Sequence, residues 1–136
     1  MARLMVALLL GRLILGIGAT WGYVEGDDLI AWTYPCEPDR DNCYDLYPRR
    51  FVEEGEKIIA VETYGMAPSE RWRAVGAAGE RCEFQIHPIH ADMLRRRGLP
   101  WEAVHNPQVC RDVAFEIWSA TQDWRHWPSR FKAGVN

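Results

Sequence analysis

Lysine is almost absent from this sequence, and several other features are missing with it. Only two of the 16 basic residues are lysines, the formal net charge is -3, and there is no Cys-x-x-Cys spacing, internal repeat or low-complexity tract. A chain without a cationic excess is poorly suited to neutralise phosphates, which argues against nucleic acid as a partner. What is present, 48% hydrophobic and 26% charged residues in 136 positions, is enough to bury the core of one domain.

The longest apolar run, residues 4–19, is apolar or glycine apart from Arg12. It is shorter than the ~20 residues of a membrane-spanning helix and ends on small residues, a pattern typical of a secretion signal. We assign residues 1–19 to a signal peptide or an N-terminal membrane anchor and expect an exported protein that is periplasmic, extracellular or virion-associated. Any membrane contact is expected through residues 4–19. The alternative is a buried N-terminal helix, which Arg12 would favour.

The cysteines form an even set of four, and in an exported chain this favours disulfides over a metal site. Three pairings are open. We favour Cys36 with Cys43, which needs only a compact turn, and Cys82 with Cys110. A zinc site is the alternative, but two histidines in the segment HPIH lack an evident third ligand.

Residues 20–50 are rich in Tyr, Trp, Pro and Asp without a helical or alternating pattern, so a cysteine-containing loop region is predicted there. Residues 51–136 are assigned to one compact domain. Its first helix should end near Gly65 and has one face made up of Phe51, Gly55, Ile58, Ile59 and Glu62.

Two more helices are predicted further along the domain. One is opened by Pro88 and ended by Gly98, and the other begins with Asn106 as N-cap and places Cys110, Ala114 and Ile117 on one face. The intervening residues 65–86 are expected to form an ordered loop with, at most, a small hairpin. The predicted fold class is therefore mainly α, with a small loop or β element and disulfide stabilisation.

Glu62 is the residue that carries a chemical prediction. A carboxylate on the apolar face of a helix is desolvated, which raises its pKa and favours a role as general acid. The alternative is a capping or salt-bridged glutamate with no catalytic role.

Four segments in series, AVETYG, GERCEFQIHP, NPQVCRDVAFEIW and DWRHWP, resemble the lysozyme-like superfamily. The resemblance is to its transglycosylase (SLT) and goose-type lysozyme-like domains, and closest to short phage-type muralytic domains. It covers roughly residues 50–128. This sequence departs from the family pattern where Cys82 and Glu83 replace a glycine and a leucine, and where Cys110 replaces an asparagine. The resemblance suggests that Cys82 and Cys110 form a disulfide across the base of the cleft.

The resemblance implies an α+β lysozyme-like fold and cleavage of the bond between N-acetylmuramic acid and N-acetylglucosamine in peptidoglycan glycan strands. Glu62 would be the general acid and then the base, and a lytic transglycosylase is favoured over a hydrolytic lysozyme. A hydrolase would draw a second carboxylate from Glu70, Glu80 or Glu83. No cofactor and no metal are implied. The residues expected to bind or position substrate are Thr63, Tyr64, Trp72, Phe84, Gln85 and Ile86.

Two other functions are open. One is a catalytically silent wall-binding or virion structural protein on the same fold, which the altered Cys82-Glu83 segment would favour. The other is an unrelated disulfide-stapled secreted module. A shared fold does not imply a shared activity.

Overall fold

Helices dominate the computed structural model, which describes residues 27–34 and 44–136. In chain order its strands and α-helices are β1 (Leu29–Thr33), β2 (Tyr44–Pro48), α1 (Arg49–Glu62), α2 (Ala91–Arg95), α3 (Pro107–Thr121) and α4 (Arg130–Ala133). Three 3-10 helices lie between them, at Pro68–Arg73, Pro88–His90 and Trp101–His105. The predicted class, mainly α with a small β element, is confirmed.

The β element lies earlier in the chain than expected. β1 and β2 pair antiparallel, with Ile30 opposite Tyr47 and Trp32 opposite Asp45, inside the region expected to be irregular. Residues 65–86 contain two isolated bridges instead of a hairpin. The strands are only five residues long, and Trp32, Tyr47 and Pro48 are their only buried residues. Such short alternation among Asp and Pro is a weak local signal.

Helix α1 matches its predicted amphipathic face. Phe51, Gly55, Ile58 and Ile59 are buried as expected. Gly55 is needed at this contact because a Cβ there would lie 2.7 Å from Cη2 of Trp32 and 3.2 Å from Cζ of Phe84. The glycine therefore lets the hairpin approach the helix closely.

Helix α3 begins where the sequence predicts. The side chain of Asn106 accepts hydrogen bonds from the backbone N–H groups of Gln108 and Val109, at 3.0 and 3.3 Å, and Pro107 occupies the first turn. The predicted face of Cys110, Ala114 and Ile117 is buried. The core that forms against it is aromatic: Phe51 stacks on Trp124, and Phe84 stacks on both.

Two adjacent cross-links tie α3 to the segment before Gln85. Cys82 and Cys110 form the predicted disulfide. Next to it, Nε of Arg111 donates to Oε1 of Glu83 at 2.6 Å, in a pair that is almost fully buried. Nη1 of Arg111 also donates to the backbone carbonyls of Trp32 and Thr33, at 3.1 and 2.7 Å. The pair therefore joins α3, β1 and the Gln85 segment. Burial raises the pKa of Glu83 despite the attraction of Arg111.

Two further predictions fall outside the described residues: the Cys36–Cys43 disulfide, and the signal or anchor at residues 1–19. Within 27–34 and 44–136, no helix is long and apolar enough to cross a membrane. The Cys82–Cys110 disulfide is compatible with export, because such bonds persist in oxidising compartments.

Candidate functional site

A cleft of about 690 Å³ opens beside the C-terminal end of α1. Helix α1 forms one side of it, the loop from residue 76 to residue 87 and the following 3-10 helix form another, and the chain from residue 126 into α4 completes it. The lining residues are Val61, Glu62, Gly76, Ala77, Glu80, Gln85, His87, Ile89, His90, His126, Trp127, Pro128, Ser129 and Lys132.

Glu62 is the last residue of α1 and is half-buried in this cleft. Oγ of Ser129 donates a hydrogen bond to its Oε1 at 2.5 Å. Burial raises the pKa of Glu62, the negative charge of Glu80 raises it further, and the hydrogen bond from Ser129 opposes both without reversing them. A carboxyl group whose pKa is raised toward neutrality, at the wall of an open cleft, can donate a proton to a bound ligand.

Glu80 and Gln85 lie close together beside Gly76. The backbone N–H of Gly76 donates to the carbonyl of Glu80 at 2.7 Å, and Oε2 of Glu80 accepts from the backbone N–H of Ala78 at 2.9 Å. A Cβ on Gly76 would collide with the Glu80 carboxylate and lie 2.6 Å from Oε1 of Gln85. A side chain at position 76 would therefore displace the ends of the Glu80 and Gln85 side chains from their present places.

The backbone from Cys82 to Gln85 has an unusual conformation. Cys82 and Gln85 both have positive φ, 66° and 49°, although neither is glycine. The backbone N–H and the side-chain Nε2 of Gln85 both donate to the carbonyl of Cys82, at 3.0 and 2.8 Å. Because Cys82 is bonded to α3 by the disulfide, the covalent link to the core lies next to the turn that presents Gln85.

Of the six side chains expected to contact substrate, Gln85 alone lines this cleft. Phe84 and Ile86 are 0% and 1% exposed and pack in the core, so they support the Gln85 turn from below and do not reach a ligand. Thr63 is also buried, and its Oγ1 donates to the carbonyl of Ile59 at 2.6 Å, which closes the last turn of α1. These three side chains are thus buried and do not belong to the lining of the cleft.

The two expected aromatic contacts also lie away from the lining. Tyr64 is 91% exposed, just beyond the end of α1. Nε1 of Trp72 donates to the carbonyl of Ser69 at 3.0 Å, and the Arg73 guanidinium lies over its ring at 4.4 Å. Trp72 is thus engaged within its own 3-10 helix, and the aromatic side chain that does line the cleft is Trp127.

The three candidates for a second carboxylate lie in different surroundings. Glu70 is exposed and paired with Arg73 at 2.8 Å, and Glu83 is buried against Arg111. Glu80 is the one of the three that lines the cleft.

The segment from residue 126 to residue 132 contributes groups that the sequence analysis did not assign to the site. Nε1 of Trp127 donates to the carbonyl of Phe84 at 2.8 Å, which fixes this segment against the Gln85 turn. Ser129 reaches Glu62 from 67 positions further along the chain. No periodicity or motif signals such a contact, because it depends on how α4 packs against α1.

Comparison of the chain with protein-family models, curated proteins and solved structures finds no match. Function is therefore inferred from the chemistry of the cleft and from the motifs in the sequence. No group of three or more His, Cys, Asp or Glu side chains within residues 27–34 and 44–136 is arranged to hold a metal ion.

Proposed function

We propose that the protein cleaves the glycosidic bond between N-acetylmuramic acid and N-acetylglucosamine in peptidoglycan, with Glu62 as general acid and then base. The observation that carries this proposal is the position of Glu62. It is half-buried with a raised pKa, hydrogen-bonded by Ser129, in the wall of an open cleft. The motif resemblance supplies the substrate class.

The favoured reaction is that of a lytic transglycosylase. Protonated Glu62 gives its proton to the glycosidic oxygen as the bond from that oxygen to C1 of the muramyl residue breaks. The 6-hydroxyl group of the same muramyl residue then attacks C1, forming a 1,6-anhydro bond, and its proton returns to Glu62. The carboxyl group ends in its starting state, so one acid suffices.

Ser129 and Gln85 have positioning roles in this proposal. Ser129 holds one oxygen of Glu62 at 2.5 Å and fixes the direction of the carboxyl group. The Gln85 side chain lines the same cleft from the turn anchored at Cys82, where its Oε1 is available to accept a hydrogen bond from a sugar N–H or O–H.

One observation favours a hydrolytic lysozyme as the second candidate. Glu80 lines the cleft with Glu62, and its charge acts on the pKa of Glu62. A carboxylate in that place could activate water, and the products would then carry reducing ends. For both reactions the substrate lies outside the cytoplasm, so we also propose that the protein is exported.

The test is digestion of purified peptidoglycan by the full chain with its disulfide intact, with mass spectrometry of the products. The Glu62→Gln variant should lose about 10²- to 10⁴-fold in rate, the usual contribution of a general acid. Glu70→Gln is the matched control, because it removes an exposed glutamate outside the cleft.

The products decide between the candidates. Anhydro-muropeptides lost with Glu62→Gln but not with Glu70→Gln would establish the transglycosylase. Reducing ends that also require Glu80 would establish the hydrolase. If the folded protein binds peptidoglycan and leaves it intact, the catalytic proposal fails and a silent wall-binding or virion structural role replaces it.

A further inference from the structure

Three of the four histidines line the Glu62 cleft. His87 and His90 come from the 3-10 helix Pro88–His90 and the residue before it, and His126 comes from the loop that leads to α4. Lys132, on α4, lines the same cleft. We call His87, His90, His126 and Lys132 the basic wall. The fourth histidine, His105, lies elsewhere, with Nδ1 3.0 Å from the carbonyl of Trp72.

Two of the three histidine rings in the basic wall contact each other, and the third accepts a hydrogen bond from the backbone. His90 and His126 meet edge to face, with 6.2 Å between ring centroids. Nδ1 of His87 accepts a hydrogen bond from the backbone N–H of Ile89 at 3.2 Å. The neutral His87 ring therefore carries its proton on Nε2, which leaves that N–H as a donor.

The basic wall has no anionic partner within the described residues. No ion pair shorter than 4.0 Å joins any of its four side chains to a carboxylate of residues 27–34 or 44–136. The titratable groups that face it across the cleft are Glu62 from α1 and Glu80 from the loop. Of these, Glu62 has a pKa raised above its ordinary value, chiefly by burial.

Protonation of His90 is unfavourable in the basic wall. Burial lowers the pKa of His90, and the positive charges of His126 and His87 lower it further. An anion bound among the rings would offset that repulsion and favour their charged forms. Binding of the anion and uptake of protons are therefore coupled, and each strengthens the other.

We propose that the basic wall is a subsite that binds a carboxylate of the substrate, more tightly in acidic than in neutral solution. The ligand identity rests on the proposed function, because peptidoglycan offers a carboxylate in one of two places: on the stem peptide, or on the lactyl group of a muramic acid that carries no peptide. The shared chemistry is a carboxylate attached to an amino sugar. The subsite thus selects the muramyl side of the glycan and couples its binding to pH.

The experiment is a titration of the full chain followed by NMR of the histidine ring protons. Its probes lack a glycosidic bond, so binding is measured without turnover. They are N-acetylmuramic acid, its conjugate with L-alanyl-D-glutamate, and N-acetylglucosamine as the uncharged control. We expect the acidic probes to bind about tenfold more tightly at about pH 5 than at about pH 8, the range over which histidine charge changes. N-acetylglucosamine should show no such preference.

The histidine signals provide the internal control. A bound acidic probe should raise the pKa of His90 and shift the ring-proton signals of His126, while the signals of His105 stay in place. His90→Gln and His126→Gln should each lose most of the preference for acidic solution, while His105→Gln keeps it. Lys132→Gln should weaken the binding of the acidic probes at both pH values. Circular dichroism verifies that the variants fold.

The outcomes separate this subsite from the proposed activity. Tight pH-dependent binding of the peptide conjugate alone assigns the carboxylate to the stem peptide. Tight binding of N-acetylmuramic acid alone assigns it to the lactyl group, because that carboxyl group is an amide in the conjugate. Equal binding of both acidic probes shows that the subsite accepts either carboxylate. Acidic probes that bind no better than N-acetylglucosamine, or that leave His90 and His126 unshifted, overturn the subsite. Binding of the acidic probes by a protein that fails to digest peptidoglycan would retain the subsite and overturn the enzyme.

Discussion

Reduction of the Cys82–Cys110 disulfide should lower the free energy of unfolding of the domain by an amount that depends on the length of the loop that the bond closes. The bond joins residues 28 positions apart. In the chain-entropy model, opening a loop of that size gives the unfolded state about 12 cal/mol/K of additional entropy, which is about 3.6 kcal/mol at 25 °C. Both half-cystines are 0% exposed, so the bond lies inside the core.

The assay is urea unfolding of oxidised and reduced protein, followed by tryptophan fluorescence and by far-UV circular dichroism. A Cys36→Ala/Cys43→Ala background ensures that the bond between Cys82 and Cys110 alone responds to the reductant. With a slope of about 1.8 kcal/mol/M, a loss of about 3.6 kcal/mol lowers the midpoint by about 2 M urea. Comparing one sequence in two redox states avoids the cavity that a Cys→Ala change would leave.

Coincident midpoints of the oxidised and reduced proteins would refute this reasoning. They would mean that the unfolded chain is already restricted to the same extent without the bond, or that the reduced native state gains compensating contacts. A change in slope with an unchanged midpoint would place the effect in the compactness of the unfolded state.

Two other predictions concern the carboxyl groups and need no substrate. Because the pKa of Glu62 is raised in the folded protein, the stability linked to it is present below the unfolded pKa and lost as pH rises through the folded pKa. The unfolding temperature of Glu62→Gln should therefore fall less with rising pH than that of wild type. Parallel plots of unfolding temperature against pH for the two proteins would contradict this. Arg111→Leu leaves Glu83 buried without its partner and should cost about 3–5 kcal/mol in urea unfolding. Adding Glu83→Leu should recover part of the loss, and an Arg111→Leu protein as stable as wild type would show that the pair carries no net stability.

The helices were predictable because their signals are local. The Asn106-Pro107 pair both caps α3 and sets its first turn, and the apolar spacing from Phe51 to Ile59 defines the buried face of α1. The position of Glu62 at the end of that face followed from the same spacing. Each of these predictions uses residues within a few turns of one another.

The hairpin and most of the cleft depend on contacts that are distant in the chain. Trp32 becomes a core residue because Gly55 leaves room for its ring and Glu56 accepts its Nε1–H at 2.5 Å. Ser129 reaches Glu62 only because the chain from Trp127 onward is fixed against the carbonyl of Phe84. DWRHWP is one of the segments that resemble lysozyme-like domains, but no property of HWPSR taken alone indicates that Ser129 contacts Glu62.

The positions at which the sequence differs from the lysozyme-like domains that it resembles are linked to each other in the structure. Cys82 and Glu83 are consecutive, and they are cross-linked to the consecutive residues Cys110 and Arg111 on α3, one covalently and one by a buried ion pair. Both links lie immediately before Gln85, whose turn is strained at two positive φ values. A strained turn persists only where the surrounding structure holds it. The Cys82–Cys110 bond and the Glu83–Arg111 pair therefore both support the turn that presents Gln85 to the cleft.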